Sequence, residues 1–375
     1  MPRHYLDHAS TSPVRPEVRA AMVAALDLVG DPGRVHDEGR VVRAQIEDDR
    51  EKVAAHLGVR SRQVILTSGG TEAINAAVFG AARARPGAPI GCAGVEHSAV
   101  RDASARLAPV LGLAVDSRGR IDPGSVADLV GGASKPALVH CQLANHEVAT
   151  LQPVAEVVEI CRGAGVVVHV DACAALGQVP LDLGELGADL TSVSAHKAGG
   201  PPGVGALVVR AGSRFDPLLL GGQQERARRA GFENAPAIAG FGALAQVLTP
   251  GRIAEEGLAS RGHVARLVEA ATAVDGVGVV GDPDPQGRLP NLVCLGVAGV
   301  EAEPVVIGLD RLGIAVHSGS ACSSEALEPS PVLAAMGVDP EKSLRLSVGW
   351  STTSDDIEAF ASAFVDVVGR LRSLR

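Results

Sequence analysis

Gln63-Val64-Ile65-Leu66-Thr67-Ser68-Gly69-Gly70-Thr71-Glu72 runs from a short apolar stretch into a glycine turn, and then directly into an alanine-rich helical pattern from Ala73 to Arg83. Strand, glycine turn and helix N-terminus in that order make half of a βαβ unit. The same geometry binds phosphate, because backbone N–H groups and the helix dipole converge there. The spacing is neither that of a Walker loop nor that of a dinucleotide fingerprint. From this segment alone, an ordinary βα turn with Thr71 as N-cap reads equally well.

The alternation extends on both sides. Pro16 opens a helical pattern through Leu28, and another runs from Asp37 to Leu57. Pro89 to Cys92, Ala137 to Leu143, Val166 to Val170 and Leu190 to Val193 read as strands, with helical patterns between them such as Val154 to Ala164. This pitch predicts an α/β fold whose mostly parallel sheet is covered by helices on both faces. Ligands in such sheets gather at the carboxyl ends of strands. His97, Asn145-His146-Glu147, Asp171 and Ser194-Ala195-His196-Lys197 all follow predicted strands. With Gly70 and Thr71 they point to one shared site.

Lys197 leads into Ala198-Gly199-Gly200-Pro201-Pro202-Gly203. That composition suits neither a helix interior nor a central strand. A tight loop there would hold one amine in place, and such a lysine can form a Schiff base with a carbonyl cofactor. Taken alone, a solvated turn lysine is the simpler reading.

The chain has 375 residues, 46% of them apolar and 21% charged, enough for a large core and roughly two domains. Net charge is −9 and no basic patch stands out, which argues against nucleic acid as the main ligand. No signal core or apolar run of ~20 residues is visible, so a cytoplasmic protein without membrane partners is expected. No C-x-x-C pair occurs among the cysteines, which disfavours zinc. Cys92, Cys141, Cys161 and Cys294 lie in apolar stretches and read as core, whereas Cys322 has small polar neighbours. After Pro250 the texture changes. Helical patterns over Arg252 to Thr272, Glu303 to Leu312 and Asp355 to Leu371 flank short strands at Val277 to Val280, Asn291 to Val297 and Leu344 to Val348. Residues 16–250 are read as a large domain, and 1–15 with 251–375 as a smaller α+β domain.

Together these residues resemble the cysteine desulfurases, pyridoxal 5'-phosphate (PLP) enzymes of fold type I in the class-V aminotransferase family. The resemblance rests on Tyr5-Leu6-Asp7-His8-Ala9-Ser10-Thr11, Leu66 to Glu72, Glu96-His97-Ser98-Ala99-Val100, His169-Val170-Asp171-Ala172, Ser194 to Lys197, Ser318-Gly319-Ser320-Ala321-Cys322 and Arg345-Leu346-Ser347. The Cys322 stretch, continuing to Leu327-Glu328-Pro329-Ser330, looks like the long loop of the NifS-like branch. The resemblance implies a seven-stranded, mostly parallel sheet in the large domain, and a homodimer. It implies that Lys197 carries PLP, that Asp171 pairs with the pyridine nitrogen, and that His97 stacks on the ring and moves protons. Gly70, Thr71, Ser194 and His196 would hold the phosphate, and Asn145 and His146 would lie near cofactor and substrate. Arg345 would grip the carboxylate of L-cysteine. Cys322 would take its sulfur as a persulfide, for delivery to an acceptor protein, leaving alanine.

Three positions depart from the family pattern. The glutamine expected three residues after Asp171 is Ala174, the second asparagine of Asn-Asn-Glu is His146, and the threonine of Arg-x-Gly-Thr is Phe232. Each lost hydrogen bond could weaken cofactor binding by about 1 kcal/mol, and His146 is expected to compensate for Ala174. The chain ends at Leu374-Arg375 without the tail of members that feed an iron–sulfur scaffold, so a thiolation enzyme or biosynthetic sulfurtransferase is an equal expectation as acceptor. Other readings are a related lyase acting on selenocysteine or another cysteine derivative, and a homologue that binds without catalysis.

Overall fold

The computed structural model describes residues 3–318 and 329–374. Its strands are β1 (His4–Tyr5), β2 (Val64–Thr67), β3 (Ile90–Ala93), β4 (Val110–Leu113), β5 (Leu138–His140), β6 (Val167–Asp171), β7 (Leu190–Ser194), β8 (Gly205–Val209), β9 (Val277–Val280), β10 (Leu292–Val297), β11 (Ile314–Ala315), β12 (His317–Ser318) and β13 (Ser343–Ser347). The main sheet has the order β2-β8-β7-β6-β5-β3-β4. Every neighbouring pair is parallel except those made by β8, which is antiparallel to both β2 and β7. This is the predicted mostly parallel seven-stranded α/β sheet. The carboxyl ends of β2, β3, β5, β6 and β7 therefore share one edge.

Helices cover both faces because the strands are apolar on both. Ile65, Ile90, Leu138, Leu190 and Leu207 pack with Ile74 and Val78 of the helix Gly70–Ala84 and Val100 of the helix Ser98–Leu107. Val64, Leu66, Val193 and Ala206 pack instead with Val53 and Leu57, and with Phe241 and Leu244 of the helix Ala235–Val247. A second assembly joins β12-β13-β10-β9, all antiparallel, to the helices Pro250–Thr272 and Ser354–Ser373 around Phe360 and Phe364. β1 pairs with β11 and ties the N-terminus to this assembly.

Several boundaries differ from expectation. The first helix stops at Ala25, not Leu28. The helix after β2 begins at Gly70, with Gly69 rather than Thr71 as N-cap, since Gly69 adopts φ 150° and lets the chain turn one residue earlier. The strand expected through Leu143 is regular only to His140, although Cys141 and Leu143 still donate to His169 O and Asp171 O. β4 and the helix Ala235–Val247 carry no periodic signal. The first is an edge strand exposed at three of four positions, and the second is buried nearly all round. Cys92, Cys141, Cys161, Cys173 and Cys294 are free and buried.

Candidate active site

Lys197 sits in a single helical turn, Ala195–Ala198, between the end of β7 and Gly199, whose φ of 86° turns the chain away. Four successive carbonyls, three of this turn and that of Gly199, are occupied by the N-terminal segment. Ser12 N donates to His196 O (2.9 Å), Ser12 Oγ to Lys197 O (3.0 Å), Arg15 Nε to Ala198 O (3.0 Å) and Arg15 N to Gly199 O (2.9 Å). Arg15 is itself fixed by a two-pronged pair with Glu256 at 2.7 Å on each side. The turn is thus clamped from outside, and the Lys197 amine makes no hydrogen bond or ion pair with a described residue.

Lys197 faces a cavity of about 330 Å³. Gly70, Thr71, His97, His146, Asp171, Ser194, His196 and Arg345 also line it, so the carboxyl ends of β2, β3, β5, β6 and β7 are brought to one place. Asp171 ends β6, and its Oδ1 accepts from Cys173 N at 2.9 Å. Gly70 passes so close to Cys173 that a Cβ there would lie 2.5 Å from Sγ. Arg345 reaches in from β13. Its Nη1 donates to His146 O (3.1 Å), and its Nη2 to Asp7 Oδ1 (2.9 Å) and Ser10 Oγ (2.6 Å), while Nε is buried without a partner among the described residues.

The cavity keeps its imidazoles neutral. Burial, then the Lys197 charge, pushes His196 down to about 4 and lowers His97 as well. Burial pushes His146 well down, with His97, Lys197 and Arg345 adding to it. His97 Nδ1 accepts from Ala99 N (3.1 Å), so Nε2 carries its proton. Burial and the Asp171 charge hold the Cys173 thiol protonated.

Other predicted residues stand elsewhere. Asn145 does not line the cavity. Its Oδ1 accepts from Glu147 N and Val148 N (both 2.8 Å) and its Nδ2 donates to Val95 O (3.0 Å), which shapes the loop that presents His146. Phe232 is 67% exposed and borders a separate cavity of about 130 Å³ beside Ser68 and Arg229. Cys322 lies outside the described residues. Of the positions flanking it, His317 lines the main cavity, and Ser330 donates to Glu147 Oε2 at 2.6 Å. Ser12, Arg15, Gln142 and His317 were missed by sequence reasoning. They lie in a loop or beside apolar runs, and only tertiary packing joins them to the site.

A phosphorylated pyridoxal fits this donor set. The first N–H groups of the helix at Gly70 have no carbonyl ahead of them, and Thr71, Ser194 and His196 gather at the same end for an anion. Asp171 would offer a carboxylate to a ring nitrogen, Lys197 an amine without a partner among the described residues, and Gly70 the close backbone approach that a Cβ would spoil.

The family model described as Aminotransferase class-V matches residues 4–360. The chain is 37% identical over 383 residues to cysteine desulfurase IscS of Dictyoglomus turgidum, covering 99% of this chain and 95% of that one. It is 38% identical over 382 residues to the IscS-like cysteine desulfurase of Mycobacterium tuberculosis, covering 98% and 97%. The X-ray structure of a NifS-like protein from Rickettsia africae superposes with a TM-score of 0.89 at 29% identity, covering 98% of this chain and 99% of that one.

Proposed function

The chain belongs to the aminotransferase class-V family, and from that premise we propose that it is a PLP-dependent cysteine desulfurase, converting L-cysteine to L-alanine and passing the sulfur through a persulfide on Cys322 to an acceptor protein. The observation that carries this reading is the clamped Lys197 amine, unpartnered among the described residues, in one cavity with Asp171, His97 and Arg345.

PLP supplies an electron sink for bonds at the substrate's α-carbon. Lys197, Asp171 and the donors at Gly70, Thr71, Ser194 and His196 hold it. His97 offers a neutral imidazole with its proton on Nε2, ready for general acid–base work. Arg345 presents a fork to the substrate carboxylate. The Cys322 thiolate attacks the substrate sulfur, so an S–S bond forms as the C–S bond breaks. The C–S electron pair stays with carbon, which takes a proton to become the methyl of alanine.

Residues 16–250 act in this scheme as the cofactor domain, and 1–15 with 251–375 as the smaller domain whose sequence carries Arg345 and Cys322. Exposed Leu220 (78%) and Phe232 (67%) support a homodimer that covers the Arg229–Phe232 segment, with Phe232 packing where a polar contact is usual. No helix of the described residues is long and apolar enough to cross a membrane. Free buried cysteines fit a reducing, cytoplasmic setting.

The test is to purify the protein, record its visible spectrum, add L-cysteine and measure alanine and sulfide together. A coloured protein yielding both is expected, and Cys322→Ser should keep the colour and lose sulfide release. A colourless protein that stays inactive with added PLP would overturn the reading. Alanine and sulfide formation unchanged in Cys322→Ser would assign the chemistry to a simple lyase.

A further inference from the structure

Lys197 also lines a second, smaller chamber of about 10 Å³. Ala9, His146, Ala174 and Lys197 line both it and the main cavity, and Asn291 lines the small chamber alone. Two of its walls carry buried polar atoms with no partner among the described residues, His146 Nδ1 and Asn291 Oδ1. His8 also borders it, but its ring nitrogens are engaged with Ser12 Oγ (2.9 Å) and Thr352 Oγ1 (3.2 Å).

Both orphaned atoms are acceptors. His146 Nε2 faces the Glu147 carboxylate at 3.6 Å, which draws the imidazole proton to that nitrogen and leaves a lone pair on Nδ1. Asn291 Nδ2 points to Val348 O (3.5 Å), which directs Oδ1 to the other side. Two acceptors beside one small space cannot satisfy each other. A molecule with two donors can satisfy both, and its own lone pair then faces the amine of Lys197, the donor in the wall. A chamber of this volume is at the lower limit for one water, and a buried water usually makes about three hydrogen bonds.

We propose that this chamber is a site for one structural water, which donates to His146 Nδ1 and Asn291 Oδ1 and accepts from Lys197 Nζ. Ala174 makes the room, since a longer side chain at that position would enter the same space. His146 and Asn291 are then positioning residues that act on Lys197 through the water. His146 answers the short side chain at Ala174 indirectly, by completing a water site, rather than by donating to the cofactor itself.

The effect on Lys197 rests on the desulfurase reading, but the water site does not. A high-resolution crystal structure of the PLP-loaded enzyme is expected to show an ordered water within hydrogen-bond distance of His146 Nδ1 and Asn291 Oδ1. A dry chamber, or one filled by the lysine amine or a rotated side chain, overturns the proposal. As a second readout, the visible band of the Lys197-bound cofactor is titrated in the parent and in Asn291→Leu. Removing a group that accepts from the protonated nitrogen lowers the midpoint, by about 0.5–1 pH unit. His97, Asp171, His196, His317 and Arg345 line the main cavity with Lys197, His8 lines the small chamber and His146 lines both, and all are common to both proteins. An unchanged midpoint in a folded Asn291→Leu overturns the positioning role. A protein that binds no PLP refutes the desulfurase reading instead, and its structure still decides whether the water is there.

Discussion

Arg345 Nη2 lies 2.9 Å from Asp7 Oδ1, so an arginine carried by β13 is oriented by the N-terminal segment that runs beside that strand, from the other end of the sequence. The same segment clamps the Lys197 turn through Ser12 and Arg15. Arg345→Lys keeps the charge and loses the fork. It is expected to raise KM for L-cysteine about 10- to 100-fold with the visible cofactor band intact. Steady-state kinetics beside an absorbance spectrum check this, and a lost band would mean that Arg345 supports the cofactor instead.

Gly70 and Cys173 form a second tight relationship. Gly70→Ala would put a methyl 2.5 Å from Cys173 Sγ, at the mouth of the anion-binding end. It is expected to weaken PLP affinity about 10-fold or more. Cys173→Ala added to it should recover part of the loss, because the obstructing sulfur is gone. Equilibrium titration with PLP of both variants measures this, and equal losses would show that the contact is not the cause.

Glu225, Arg226 and Ala227 hold three successive left-handed conformations, with φ of 48°, 58° and 61°. Each costs about 1–2 kcal/mol for a residue bearing a side chain. The strain is held by buried Glu225, which accepts from Arg50 at 2.5 and 2.7 Å and from Leu66 N at 2.9 Å. Ala227→Gly is expected to raise the melting temperature by about 2 °C. Arg50→Leu, which leaves the carboxylate buried and unpaired, should lower stability by about 3–5 kcal/mol. Thermal and denaturant unfolding of the two variants test both signs.

Burial pushes His169 down to about 4, while its ring bonds Ser192 Oγ (2.7 Å) and His140 Nδ1 (2.9 Å). An unfolded histidine titrates near 6.5. As pH falls below about 6.5 the unfolded chain takes up a proton that the folded one refuses, so stability is lost down to about 4, by roughly 3 kcal/mol from this group. His8 and His196, also pushed down to about 4, act in the same direction. Buried Glu96, pushed up to about 8, acts in the opposite one but is outnumbered. Melting temperature should therefore fall between about pH 6.5 and 4.5, and fall less steeply in His169→Gln. Parallel curves for the two proteins would contradict the assignment.

Much of this is legible in the sequence. Gln63 to Glu72, the strands ending at Asp171 and Ser194 and the Lys197 turn carry their own local signals, namely apolar runs bounded by glycine and helix starts. What escaped was non-local. Nothing local to Asp7, Ser12 or Arg15 says what they hold, and only the fold sets them against β13 and the Lys197 turn. Asn145 carried the expected residue type, yet its side chain is occupied by the backbone of Val95, Glu147 and Val148. β8 was hidden because its five buried residues follow a Gly/Pro run that reads as loop.

That reversed strand has a consequence for how the protein assembles. Because β8 runs back along β7, the segment bearing Lys197 is the bend of a hairpin, with register from Ser194–Gly205 to Leu190–Val209. Hairpins close over short loops and form in microseconds, whereas β2 reaches β8 only after the chain from Thr67 to Gly205 has been gathered in. The bend can therefore take shape early, from neighbours in sequence. Docking of β2 against β8 brings the glycine turn at Gly69-Gly70 up to that bend, and the N-terminal segment completes it through Ser12 and Arg15.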